Sequence, residues 1–143
     1  MKKLFSSLAL AAIGLFAAVG AASAQNILTV TVKNSLAVDV NLSSTGCTGV
    51  YSPALAPLAA GQTAVYTATQ TLPLSNSCQL TAKRVDNSRD CKWNMSRMKS
   101  STTGPWNHPQ VVTTTGSGLR CPHTFTSVQT NGDWAVTLEI APF

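Results

Sequence analysis

The stretch Asp133-Trp134-Ala135-Val136-Thr137-Leu138-Glu139-Ile140 places Trp134, Val136, Leu138 and Ile140 at every second position, with Ala135, Thr137 and Glu139 between them. Successive side chains of a strand point to opposite faces, so this spacing predicts a half-buried β-strand with one face in a core and the other in water. A helix would need its apolar positions three and four residues apart.

Upstream of that strand, Thr124 to Val128 is β-branched and aromatic, and Asn131-Gly132 supplies the two residues that a type I′ turn needs at positive φ. A terminal hairpin is the expectation. Val111 to Thr115 is a further short strand, turned by Gly116-Ser117-Gly118. Cys91 to Met98 sets Cys91, Trp93 and Met95 against Lys92, Asn94 and Ser96, and Cys78 to Val85 forms another run after the break at Pro73. Asp86-Asn87-Ser88 between them is a turn by composition. Thr63 to Thr69 opposes Val65 to Ala64, Tyr66 and Ala68.

Near the other end, Ile27 to Lys33 has Leu28, Val30 and Val32 on one face and Thr29 and Thr31 on the other. Leu36 to Leu42 repeats the pattern, with Leu36, Val38, Val40 and Leu42 inward. Ser43 to Gln62 contains Gly46, Gly49, Pro53, Pro57 and Gly61, which predicts a long loop with a short helical turn at Ala54 to Leu58. Ser100 to Pro109, broken by Gly104, Pro105 and Pro109, reads as an exposed loop. Seven or eight short strands without helical periodicity predict an all-β fold: a single antiparallel β-sandwich, with a small barrel as the alternative. No repeat divides the chain.

Residues 1–24 are of a different kind. Lys2 and Lys3 precede an apolar run from Leu8 to Ala22, and Ala22-Ser23-Ala24 offers small residues for cleavage, the three parts of a secretory signal peptide. The run is 15 positions long, short of the ~20 that a membrane span requires. The expected domain is therefore 25–143, not membrane-spanning after cleavage, and periplasmic or secreted from a bacterium. Those 119 residues are enough for one core, burying roughly two thirds of the unfolded surface. With 44% hydrophobic and 10% charged residues, the chain is not a charge-driven disordered segment.

Export gives the four cysteines a meaning. Cys47, Cys78, Cys91 and Cys121 read as a disulfide framework with three possible connectivities. Pairing Cys47 with Cys78 and Cys91 with Cys121 is favoured, because each bridge then closes a loop of about 30 residues. No close pair of Cys or His has the spacing of a zinc site.

Little in the chain suggests catalysis. His108 and His123 are its two histidines, and its carboxylates are Asp39, Asp86, Asp90, Asp133 and Glu139. There is no G-x-S-x-G turn, and Cys121-Pro122-His123 is followed by Thr124 where a redox pair would need a second thiol. The expectation is a non-enzymatic protein without a cofactor or metal. Without Lys2 and Lys3 it carries eight basic and five acidic residues, too mild a balance for a nucleic-acid binder.

Charge placement is the distinctive feature. Lys83, Arg84, Arg89, Lys92, Arg97 and Lys99 fall within 17 positions, offset by Asp86 and Asp90. On a hairpin they would form an anion-binding surface for a glycan, lipopolysaccharide phosphates or a partner's acidic face, or else a solvated edge that blocks strand addition. Trp134 and Trp93 alternate with core positions, whereas Trp106 sits in Gly104-Pro105-Trp106-Asn107-His108 without apolar neighbours, where an aromatic ring suits contact with a glycan or protein. The reading is an exported binding protein using the basic hairpin and the Trp106 loop; a secreted effector or membrane-active toxin is a further alternative. The alternating strands Leu28 to Val32 and Trp134 to Ile140, at the two ends of an exported chain of this size, also resemble those of bacterial pilus subunits. That resemblance implies a structural subunit that polymerises by strand addition.

Overall fold

A computed structural model describes residues 25–143, which form ten strands and, among the described residues, no helix. The signal peptide expected over residues 1–24 lies outside the described residues. The strands are β1 (Asn26–Asn34), β2 (Val40–Thr45), β3 (Gly49–Ser52), β4 (Thr63–Gln70) and β5 (Ser75–Arg84), followed by β6 (Asp90–Met98), β7 (Gln110–Thr115), β8 (Leu119–Arg120), β9 (His123–Val128) and β10 (Trp134–Pro142). One sheet runs β3-β4-β1-β10, with β9 and the short β8 both paired to β10; the other runs β2-β5-β6-β7.

The alternation that marks each strand delivers one core. Leu28, Val30 and Val32 of β1 and Trp134, Val136, Leu138 and Ile140 of β10 are all buried, and they join Leu80, Ala82, Cys91, Trp93 and Met95 of the other sheet in a single apolar cluster. The two bridges are Cys47–Cys78 and Cys91–Cys121, a framework that fits an oxidising compartment. The second is buried beside Trp93, whose Nε1 donates to the Cys121 carbonyl at 3.1 Å.

Four expectations change. The fold is not wholly antiparallel, because β1 runs parallel to β10, with Leu28 opposite Trp134 and Val32 opposite Leu138. Period 2 is the same in either direction, and no turn links these two strands to fix their sense. The segment read as a strand from Leu36 to Leu42 begins pairing only at Val40. Its first half is held instead by the buried Asn34, whose Nδ2 donates to the carbonyls of Val38, Leu58 and Ala59. The loop from Ser43 to Gln62 contains β3, and the helical turn at Ala54 to Leu58 is replaced by an isolated bridge from Leu58 to Val40. Finally, only Gly132 of the Asn131-Gly132 turn has positive φ (104°), so the turn is not type I′. Asn131 Oδ1 accepts from the Asp133 N–H at 3.0 Å instead.

Among the described residues no helix is long and apolar enough to cross a membrane.

Candidate functional site

The six cations gathered by sequence separate into two groups at opposite ends of β6, because a strand of nine residues is roughly 26 Å long from first to last Cα. At one end the β5–β6 turn carries Lys83, Arg84, Arg89 and Lys92. At the other end are Arg97 and Lys99, with Trp106.

The turn end is half self-neutralised. Arg84 makes a two-pronged pair with Asp86, at 2.8 and 2.6 Å. That hydrogen bond holds the exposed Asp86 carboxyl below its ordinary value and raises the guanidinium. Lys92 lies 3.4 Å from Asp90. Lys83 and Arg89 are exposed, and Lys83 lines an open concavity of about 390 Å³ with Asn41, Asn87 and Ser88. Arg89 also lies close to Gly118, whose carbonyl accepts from the Phe143 N–H at 3.3 Å.

Arg97 is not part of an exposed basic surface. It continues the inward series Cys91, Trp93, Met95, and its side chain is only 3% exposed. The alternation that identified the first three already pointed to it, but positive charge favours an outward assignment by default. Its Nε donates to the Asn107 carbonyl and its Nη1 to the Asp133 carbonyl, both at 2.9 Å, tying the loop after β6 to the start of β10. Burial lowers its affinity for the proton below that of a free guanidinium, and the Asp133 carboxylate partly opposes this.

Trp106 is half-buried and lies close to both cations of this end. Lys99 Nζ is 5.1 Å and the Arg97 guanidinium carbon 5.9 Å from its ring centre, within reach of cation–π attraction. Backbone pairing of Lys99 with Trp106, together with the Asn107 side chain accepting from the Met98 N–H at 2.8 Å, fixes the loop. The indole edge fits over Gly132, where an added Cβ would stand 2.6 Å from Cε2 and Nε1. In front of the ring lies an open cleft of about 480 Å³, lined by Met98, Lys99, Ser100, Pro105, Trp106 and Asn107. Met98 is 54% exposed there, and among the described residues Lys99 Nζ meets no carboxylate but the Thr102 carbonyl, at 2.9 Å.

The remaining carboxylates and both histidines have structural partners. Glu139 bonds Ser35 Oγ and lies 3.3 Å from Lys33. Asp39 accepts from the Ala60 N–H and Asp133 from the Ile27 N–H. His108 and His123 both stack edgewise on Phe125. Among the described residues no three His, Cys, Asp or Glu side chains converge on a point that could hold a metal. No protein-family model matches the chain, and no curated protein matches it.

Proposed function

We propose that the chain is an exported, non-enzymatic β-sandwich module that binds an anionic surface polymer or glycan through the Met98–Asn107 cleft. The observation that carries this reading is the chemistry of the cleft: a half-buried indole, an exposed thioether and a lysine with no carboxylate against it. A sugar ring offers an apolar face for Trp106 and Met98, and an acidic substituent offers a partner for Lys99. The two-sheet architecture, the paired cysteines and the signal-like residues 1–24 support export. The β5–β6 turn is a weaker contact, since two of its four cations are already paired.

Retention of the full chain on heparin and on immobilised lipopolysaccharide tests this. Trp106→Ala and Lys99→Gln should each elute earlier than the parent, whereas Arg89→Gln with Lys92→Gln should shift little. The reverse ranking would move the surface to the β5–β6 turn.

The alternative of a pilus-like subunit finds support in β1, an N-terminal strand parallel to the last one and flanked on both sides. Because β1 already fills its own sheet, polymerisation would require it to leave. Ladders of assembled protein at rising concentration would favour that alternative; a fixed small size would favour the binding module.

A further inference from the structure

The two inward-facing polar residues at the Trp106 end of the core are opposite each other. Asn76 of β5 pairs in register with Arg97 of β6. Asn76 is fully buried, and neither its Nδ2 nor its Oδ1 has a hydrogen-bond partner. Arg97 spends two of its five N–H donors on backbone carbonyls. Among the described residues no carboxylate lies within ion-pair distance of it. Asp133 is the nearest source of negative charge, but its carboxylate oxygens accept from the Ile27 N–H and the Asn131 amide.

This corner therefore holds an unpartnered buried amide beside a cation without a counter-ion. Both conditions are costly, and both are relieved by one acceptor-rich anion. Natural sequences keep such a conflict chiefly where it serves a function. Trp106 both stands within cation–π reach of Arg97 and lines the open cleft.

We propose that Arg97 and Asn76 form a pocket, behind Trp106, for the carboxylate of an acidic sugar whose ring lies in the cleft. The planar guanidinium fork matches a carboxylate in two-pronged fashion, and the Asn76 amide adds a third donor. Entry requires the indole to swing off Gly132. The inference rests on the cleft reading above and adds the chemical group that the ligand must carry.

Asn76→Asp tests it, because it keeps the side-chain shape and supplies the missing anion from within. The probes are polygalacturonate and its fully methyl-esterified form, which differ in charge on the same backbone. The parent should bind the acid form tighter by about tenfold or more, as one charge-assisted pair is lost in the ester. Asn76→Asp should melt higher than the parent and bind with a smaller acid-to-ester ratio, keeping only the share that Lys99 supplies. A melting temperature at or below the parent's overturns the uncompensated cation, and an unchanged acid-to-ester ratio overturns the pocket. A parent that binds both forms equally, or neither, overturns it too. The cleft reading fails separately, if Trp106→Ala leaves heparin and lipopolysaccharide retention as it was.

Discussion

The bridges Cys47–Cys78 and Cys91–Cys121 enclose successive stretches of chain, with separations of 31 and 30 residues and no overlap. Each closes an independent loop in the unfolded chain, so their entropic contributions should add. In the chain-entropy treatment a loop of about 30 residues is worth about 3.7 kcal/mol, or roughly 7 kcal/mol for both. That rivals the whole net stability of 5 to 15 kcal/mol typical of a domain. The two losses should nonetheless differ. Cys91 and Cys121 are both buried against Trp93, whereas Cys47 is partly exposed. Replacing the Cys91–Cys121 pair with alanine removes buried sulfur as well as the tether, adding about 1 to 2 kcal/mol of lost packing. Urea unfolding of Cys47→Ala/Cys78→Ala, Cys91→Ala/Cys121→Ala and the quadruple variant measures this. Free energies rather than midpoints must be compared, because an untethered unfolded chain exposes more surface and steepens the transition. The quadruple variant should be mostly unfolded at 37 °C. If the Cys47–Cys78 variant loses more than the Cys91–Cys121 variant, or the quadruple variant loses much less than the two together, the reasoning is refuted.

Val136→Asp places an unpaired charge in the core and should abolish folding, whereas Thr137→Asp, on the opposite face of β10, should cost no more than about 0.5 kcal/mol; equal soluble yields would contradict the face assignment. Gly132→Ala combines a positive φ with a clash against the indole, and should cost about 1 to 3 kcal/mol while shifting tryptophan emission to the red; an unchanged spectrum would mean that Trp106 is not seated there. The hydrogen bond from Ser35, and then Lys33, hold the Glu139 carboxyl below its ordinary value of 4.5. Its contribution to stability is thus complete above that value and disappears as pH falls through the lower folded value. Glu139→Gln should accordingly lose less stability than the parent between about pH 5 and about pH 3 in thermal melts; parallel acid profiles would remove the effect.

The inward faces of β1, β4, β6 and β10 were legible because one side of each strand is apolar and the other polar. Both cysteine pairs are those that loop length favours among the three connectivities. What escaped detection was decided between distant residues. β3 occupies Gly49-Val50-Tyr51-Ser52, where only Tyr51 is buried, so no alternation marks it. The direction of β1 against β10 depends on a pairing that spans the chain, and two identical alternations fit either sense. In the candidate site, proximity in sequence suggested one basic cluster, but a strand separates its ends in space. Arg97 was misplaced because charge was weighed above register, although the period of β6 already assigned it to the interior.

The parallel pairing of β1 with β10 gives the domain a direction. A chain whose first and last strands run the same way must start at one pole and finish at the other, about 26 Å away for nine residues of strand. Asn26 packs beside Gly132 and Trp106, while Phe143 bonds Gly118 next to Arg89. The starting pole thus bears the indole cleft, and the finishing pole the arginine-rich turn. Anything that grips the protein by Phe143, a surface, a fusion partner or a bead, leaves the cleft pointing outward, whereas a label added ahead of Asn26 sits on its rim. Orientation on a support is therefore a choice made by which end is attached.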